Sequence, residues 1–277
     1  GGAGTGGLNA HAGESIDHPQ LFLGKFGRDS QCLPAISIHP RRVKRLLSRA
    51  DHVSVPSRYL LDRMHNYRAD ISLIPNPIDL AQYPFRLRSQ ISPTIAWLRS
   101  FHSIYNPCLV PPVMALLRQQ YPGAQITMFG PDKGDGSMQV MCALAEKMGV
   151  RNAIHIAGSI SKSEVPQRLN EFDIFLNTTN IDNTPVSILE AMACGLCVVS
   201  TNVGGLPYLL SHGSDSLLVQ PDNAPAMADA IAQLLDNSDL AGKLSQHARR
   251  KVEQFDYDMI LTQWLVLLRS VLESNLQ

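Results

Sequence analysis

The chain has 277 residues with 24 basic and 24 acidic side chains, so its formal net charge is zero and no global field draws it to nucleic acid; any anion site must be local. With 44% hydrophobic and 17% charged residues it reads as a soluble globular protein, and 19 glycines and 18 prolines are too few for a low-complexity or disordered one. The length suits one large domain or two modest ones, and the patterning below favours two.

The chain opens at Gly1, without Met, in the glycine-rich stretch Gly1–Gly7. No strand precedes these glycines, so they read as a flexible terminus and not as a phosphate loop, and truncation is the favoured reason for the missing Met. Leu21–Leu23 is a short apolar patch, and His18 has no strand or acid nearby that would make it catalytic. The segment His39 to Ala50 predicts a basic helix near Arg41–Arg49, with Val43, Leu46, Leu47 and Ala50 on one face and cations on the other. That pattern suits peripheral membrane contact with anionic lipid and equally suits a solvated surface helix. No apolar run approaches the roughly 20 residues of a membrane span, and the given start has no cationic segment followed by an apolar one, so nothing here argues for secretion.

Strand His52–Val55, helix Arg58–Met64 and strand Ile71–Ile74 resemble the end of an α/β domain. Fewer than 90 residues precede the linker near Pro84–Pro93, whereas a complete mononucleotide-binding half needs about 150. From residue 94 onward, β-branched runs alternate with helical patterns: Thr94–Leu98, Gln125–Phe129, Ala153–Ala157, Asp173–Leu176, Cys197–Ser200 and Ser216–Val219. Alternation of this kind predicts an α/β, Rossmann-like parallel sheet whose strand C-termini share one ligand-binding edge. The last 25 residues, rich in Leu and Val with Trp264, predict a long amphipathic helix. The expected organisation is a partial N-terminal α/β domain (1–88), a Rossmann-like ligand-binding domain (89–255) and a C-terminal helix (256–277) returning toward the first.

Five cysteines, Cys32, Cys108, Cys142, Cys194 and Cys197, are an odd number in a chain too large to need disulfide staples, which fits a reducing, cytoplasmic setting. Cys194-Gly-Leu-Cys197 has the spacing of a redox pair or of half a zinc site, but no second pair or His at ligand spacing accompanies it. No metal site is expected.

The most informative stretch is Asp182-Asn-Thr-Pro-Val-Ser-Ile-Leu-Glu190-Ala-Met-Ala-Cys-Gly195. Thr184 as N-cap and Pro185 as first helical residue predict a helix whose unpaired N–H groups face the binding edge, where they can hold phosphate. Asp182 precedes that helix and Glu190 lies in its second turn, so two carboxylates flank the anion site, one suited to sugar hydroxyls and the other to a ribose. This stretch, with Val198-Val199-Ser200, Gly204-Gly205 and the earlier Ile74-Pro-Asn76-Pro-Ile-Asp79, resembles family four of the retaining glycosyltransferases, of GT-B fold, over about residues 50–277.

The resemblance implies transfer of a glycosyl group from a nucleoside diphosphate sugar to an acceptor hydroxyl with retention, the donor being a substrate and no cofactor or metal being required. It further implies phosphate contacts from Arg99, sugar contacts from Asp182, ribose contacts from Glu190 and backbone donors from Asn183, Thr184 and Gly205. Two departures stand out: the first hallmark glutamate is Asp182, one methylene shorter, and the family's lysine position falls near Ile104. Among His102, Tyr105 and Lys133, the last is the expected replacement, since it follows Gly130 in a loop at the binding edge. These departures and the short N-terminal part support a second reading, a truncated or degenerate homologue that binds nucleotide or acts as an interaction module without turnover.

Overall fold

The computed structural model describes residues 40–274; Gly1–Gly7, His18, Leu21–Leu23 and Cys32 lie outside the described residues. The basic helix is present as α1 (Pro40–Leu47), with Val43 buried and Leu46 exposed. The residues from Ala50 onward form one compact unit. No described helix is long and apolar enough to cross a membrane.

Within that unit, β1 (Val53–Val55), α2 (Arg58–Met64) and β2 (Ile71–Leu73) form a parallel two-stranded sheet with its crossover helix, Val53 opposite Ile71. Ser57 starts α2 by accepting the Leu60 N–H at 3.1 Å. The larger sheet comprises β3 (Thr94–Leu98), β4 (Gln125–Phe129), β5 (Ile154–Gly158), β6 (Ile174–Asn177), β7 (Cys197–Thr201) and β8 (Leu217–Val219), all parallel in the order β5-β4-β3-β6-β7-β8. Every residue of β6 and β7 is buried, as expected of central strands covered on both faces.

The pleat sorts side chains between two cores. Ile95, Trp97, Ile126, Met128, Ile174, Leu176, Cys197 and Val199 face one, built with α3 (Val110–Gln120), α4 (Ser137–Lys147) and α8 (Ala224–Asp236). Ala96, Phe129, Phe175 and Val198 face the other, built with α5 (Val165–Asn170), α6 (Val186–Cys194) and α7 (Leu206–Leu209). The long α9 (Ser238–Val252) contributes Ala241 and Leu244 to the first core and Ala248 and Val252 to the second. Strand starts differ from the sequence expectation by about one residue for a local reason. Ala153 closes a 3₁₀ turn, and the Asp173 carboxylate accepts the Ser92 N–H at 2.8 Å, so neither begins its strand.

A linker strap joins the two sheets. Arg88, fully buried, donates to the Cys194 carbonyl at 2.6 Å, to Asn170 Oδ1 at 3.0 Å and to the Phe172 carbonyl at 3.0 Å, while Arg86 pairs with Asp173 at 2.7 Å. Arg249 adds a bond to the Ala193 carbonyl at 2.8 Å, so two guanidiniums serve the carbonyls at the C-terminal end of α6. The final helix, α10 (Tyr257–Ser274), buries Ile260 but exposes Met259, Leu265, Val266, Leu268 and Leu272.

Candidate functional site

Because β3 has β4 on one side and β6 on the other, the strand order reverses there, and a crevice opens outside the C-terminal ends of β3 and β6. Arg99 follows β3 at this point. A Cβ on Gly130 would lie 1.8 Å from the Arg99 carbonyl oxygen, so only glycine permits the loop after β4 to cross the loop after β3 so closely. A cavity of about 250 Å³ opens between them, lined by Arg99, Tyr105, Gly130, Ser159, Ile160 and Val165 among others. The Arg99 guanidinium stacks over the Tyr105 ring at 4.8 Å and forms an ion pair with Asp182, and its Nε is buried without a partner. Arg99 and Asp182, assigned separately from the sequence, are thus in direct contact.

Asp182 sits in a tightly meshed loop. Its Oδ1 accepts the Asn183 N–H at 2.8 Å, its carbonyl accepts the Gly205 N–H at 2.9 Å, and Asn183 Oδ1 accepts the Ser57 hydroxyl. Two backbone donors assigned to the ligand, Asn183 and Gly205, are thus engaged inside the protein. What Gly204 and Gly205 provide is approach: a Cβ on either would lie 2.2 Å from the Asp182 carbonyl oxygen or 2.0 Å from that of Asn183.

Helix α6 starts one residue later than its sequence suggests. Pro185 is its N-cap, with ψ at 118°, and accepts the Ile188 N–H at 3.1 Å; Thr184 makes no capping bond. Proline lacks an N–H in any case, so the free donors move to Thr184, Val186 and Ser187, which precede the first helical bond. The Ser187 hydroxyl beside them is buried with no partner.

Glu190, one turn along α6, is buried and accepts the Tyr83 hydroxyl at 2.9 Å. Burial pushes its carboxyl above the ordinary glutamate value, against the pull of the Tyr83 bond and the positive charges of Lys162 and Arg99. Burial likewise raises Asp182, opposed by Arg99 and the Asn183 N–H.

Lys133 stands exposed with its N–H held by the Phe101 carbonyl at 3.1 Å, and it does not line the cavity. The lysine nearer the site is Lys162, in the loop between cavity-lining Ile160 and Val165. Its signal was present in Ser159-Ile-Ser-Lys162-Ser, directly after a strand C-terminus. Tyr83 carried no such signal. At Ile104, the carbonyl accepts the Asn180 N–H at 2.8 Å and the Thr179 hydroxyl at 3.2 Å, so this loop closes on the loop after β6.

The spacing of Cys194 and Cys197 does not make a redox or zinc pair. The left-handed Gly195 separates helix from strand, Cys194 faces one core and Cys197 the other, and burial pushes both thiols up to about 12. Among the described residues no group of three or more His, Cys, Asp or Glu is arranged to hold a metal ion.

A profile of the family described as glycosyl transferases group 1 matches residues 94–251. The chain belongs to that family. Curated group 1 relatives include the N-acetyl-alpha-D-glucosaminyl L-malate synthase of Bacillus anthracis, 28% identical over 51% of this chain and 37% of its own. Another is the glycogen synthase of Mycobacterium tuberculosis, 26% identical over 70% of this chain and 47% of its own. The chain therefore spans about a third to a half of these relatives' lengths. Among solved structures, Anabaena HepE in complex with UDP and glucose superposes with a TM-score of 0.75 at 19% identity, over 83% of this chain and 66% of that one, which establishes the shared GT-B fold.

Proposed function

We propose that this chain carries the donor-binding part of a retaining glycosyltransferase that takes a nucleoside diphosphate sugar and transfers its sugar to an acceptor hydroxyl. The observation that carries the reading is the Arg99–Asp182 pair at the mouth of the β3–β6 crevice, beside a cavity and in the loop that leads into α6. On this reading the diphosphate replaces Asp182 as the partner of Arg99, reaching its unpartnered Nε, and the freed Asp182 carboxylate accepts from donor-sugar hydroxyls. Thr184, Val186 and Ser187 donate N–H groups to the phosphates, and Lys162, in preference to Lys133, supplies a second positive charge. Glu190 accepts from the ribose. Bond breaking between the anomeric carbon and the diphosphate is then assisted by fixed positive charge at the leaving oxygens, with no metal invoked.

A second reading, nucleotide binding without turnover, is favoured by Ile104 standing where the family has lysine and by the mutual neutralisation of Arg99 and Asp182. Both readings are tested by calorimetry with UDP-, GDP- and ADP-sugars, followed by donor hydrolysis and transfer to an acceptor panel, with Arg99→Ala as control. Binding lost in Arg99→Ala supports donor recognition, and measurable transfer selects the first reading over the second. Failure of every nucleotide sugar to bind at millimolar concentration rejects both.

A further inference from the structure

Tyr83 lies in the linker, just past the 3₁₀ turn Leu80–Gln82, and belongs to none of the elements that form the crevice. Its ring packs in the core that holds α6, and its hydroxyl reaches across 107 residues of sequence to Glu190 at 2.9 Å. Tyrosine and carboxylate are only 4% and 6% exposed. A phenol used merely as core filling would be a poor choice, since a buried hydroxyl without a partner is destabilising and phenylalanine would occupy the same volume. Here the hydroxyl is matched to one particular oxygen, Oε1. The other carboxylate oxygen has no hydrogen bond within the described protein and is not sealed from solvent.

We infer that Tyr83 is a positioning residue for Glu190: it occupies one carboxylate oxygen, fixes the rotamer and leaves the second oxygen for the ribose hydroxyls of the donor. The inference rests on the donor-binding reading above. The charged groups acting on Glu190 are Lys162 from the loop after β5 and Arg99 from the loop after β3; Asp79 acts on Tyr83 from within the linker. Both cations and the Tyr83 bond favour the ionised carboxylate that a ribose hydroxyl would donate to, and burial opposes it. Tyr83 offsets part of that burial through a charge-assisted hydrogen bond, and it does so from the segment that connects the two sheets.

The test is Tyr83→Phe, which keeps the ring and removes only the hydroxyl. Two measurements are made from pH 5 to 9: the Glu190 carboxyl titration in ligand-free protein by difference infrared spectroscopy, with Glu190→Gln as blank, and affinity for ribose and 2′,3′-dideoxyribose diphosphates of uridine, guanosine and adenosine. The expected result is a Glu190 titration moved to higher pH. The preference for ribose over dideoxyribose falls about tenfold, as for one lost hydrogen bond to a charged group, and it recovers in part as pH rises through the shifted Glu190 titration. Unchanged ribose preference and an unmoved titration in Tyr83→Phe overturn the inference and leave donor binding standing. Wild-type protein that binds no nucleotide removes the donor reading and the inference with it; wild-type protein that binds ribose and dideoxyribose forms equally removes the ribose role of Glu190, and with it the inference, while donor binding stands.

Discussion

Gly205→Ala tests whether loop contact, and not a free N–H, is what the glycine pair contributes. Gly205 has φ at −84°, so the backbone itself accepts alanine. The obstacle is the Asn183 carbonyl oxygen 2.0 Å from the added Cβ, with the carbonyl carbon at 2.8 Å. The Asp182–Asn183 segment has to retreat by about 1 Å, which costs about 1–3 kcal/mol as overpacking and breaks the Gly205 N–H bond to Asp182, worth about 1 kcal/mol more. A total near 3 kcal/mol corresponds to a melting temperature lower by roughly 6–12 °C for a unit of this size. The displaced segment carries Asp182, so affinity for nucleotide sugars falls about 10- to 100-fold, the loss of one charge-assisted hydrogen bond. Differential scanning fluorimetry and calorimetry read the two effects, and Gly123→Ala, whose Cβ meets nothing within 4 Å, is the control. If Gly205→Ala melts and binds as the wild type does, the close crossing of these loops has no part in the site.

Further outcomes can be stated more briefly. Glu190→Gln stabilises the protein at neutral and alkaline pH, because a carboxyl whose folded pKa is raised penalises folding wherever it is ionised; the gain vanishes as pH falls through the folded pKa toward the ordinary glutamate value, and urea unfolding across pH checks it. Arg88→Ala, which takes a charged donor from the Cys194 and Phe172 carbonyls and from Asn170 Oδ1 and leaves Arg86 alone on both carbonyls and on Asp173, lowers stability by about 3 kcal/mol, read as a lower urea midpoint. Lys162→Ala weakens nucleoside diphosphate binding and flattens its salt dependence, whereas exposed Lys133→Ala leaves both near wild type; the reverse ranking rejects the assignment of the second cation. Cys194 and Cys197 resist iodoacetamide at pH 8 in the native state, since both thiols are raised to about 12, and become reactive on unfolding.

The large sheet was legible because its strands are continuous apolar runs punctuated by turns, a period that any parallel, doubly covered sheet imposes. The placement of Asp182, Glu190 and Arg99 at the binding edge was legible because each lies in a loop after a strand or in the first turns of the helix that follows one. Tyr83 was not, since its role depends on a linker folding back over a distance that no local pattern encodes. Lys162 was overlooked in favour of Lys133 because both follow strand ends, and only the packing of the loops separates the one beside the cavity from the one in solvent. Thr184 looked like the N-cap by residue type, yet the first helical bond falls to the Pro185 carbonyl, a difference decided by one ψ angle.

Ile78 donates its N–H to the Phe255 carbonyl and accepts the Tyr257 N–H, each at 2.9 Å, so the chain's outward passage from the small sheet and its return into α10 are bolted together at one point. Two parallel backbone segments fixed side by side resist bending but still allow twist, and together they act as an axle. A rotation of the β1–α2–β2 layer about this short ladder would carry the root of α10 with it, so a mechanical load applied to that helix would be felt as torque on the layer.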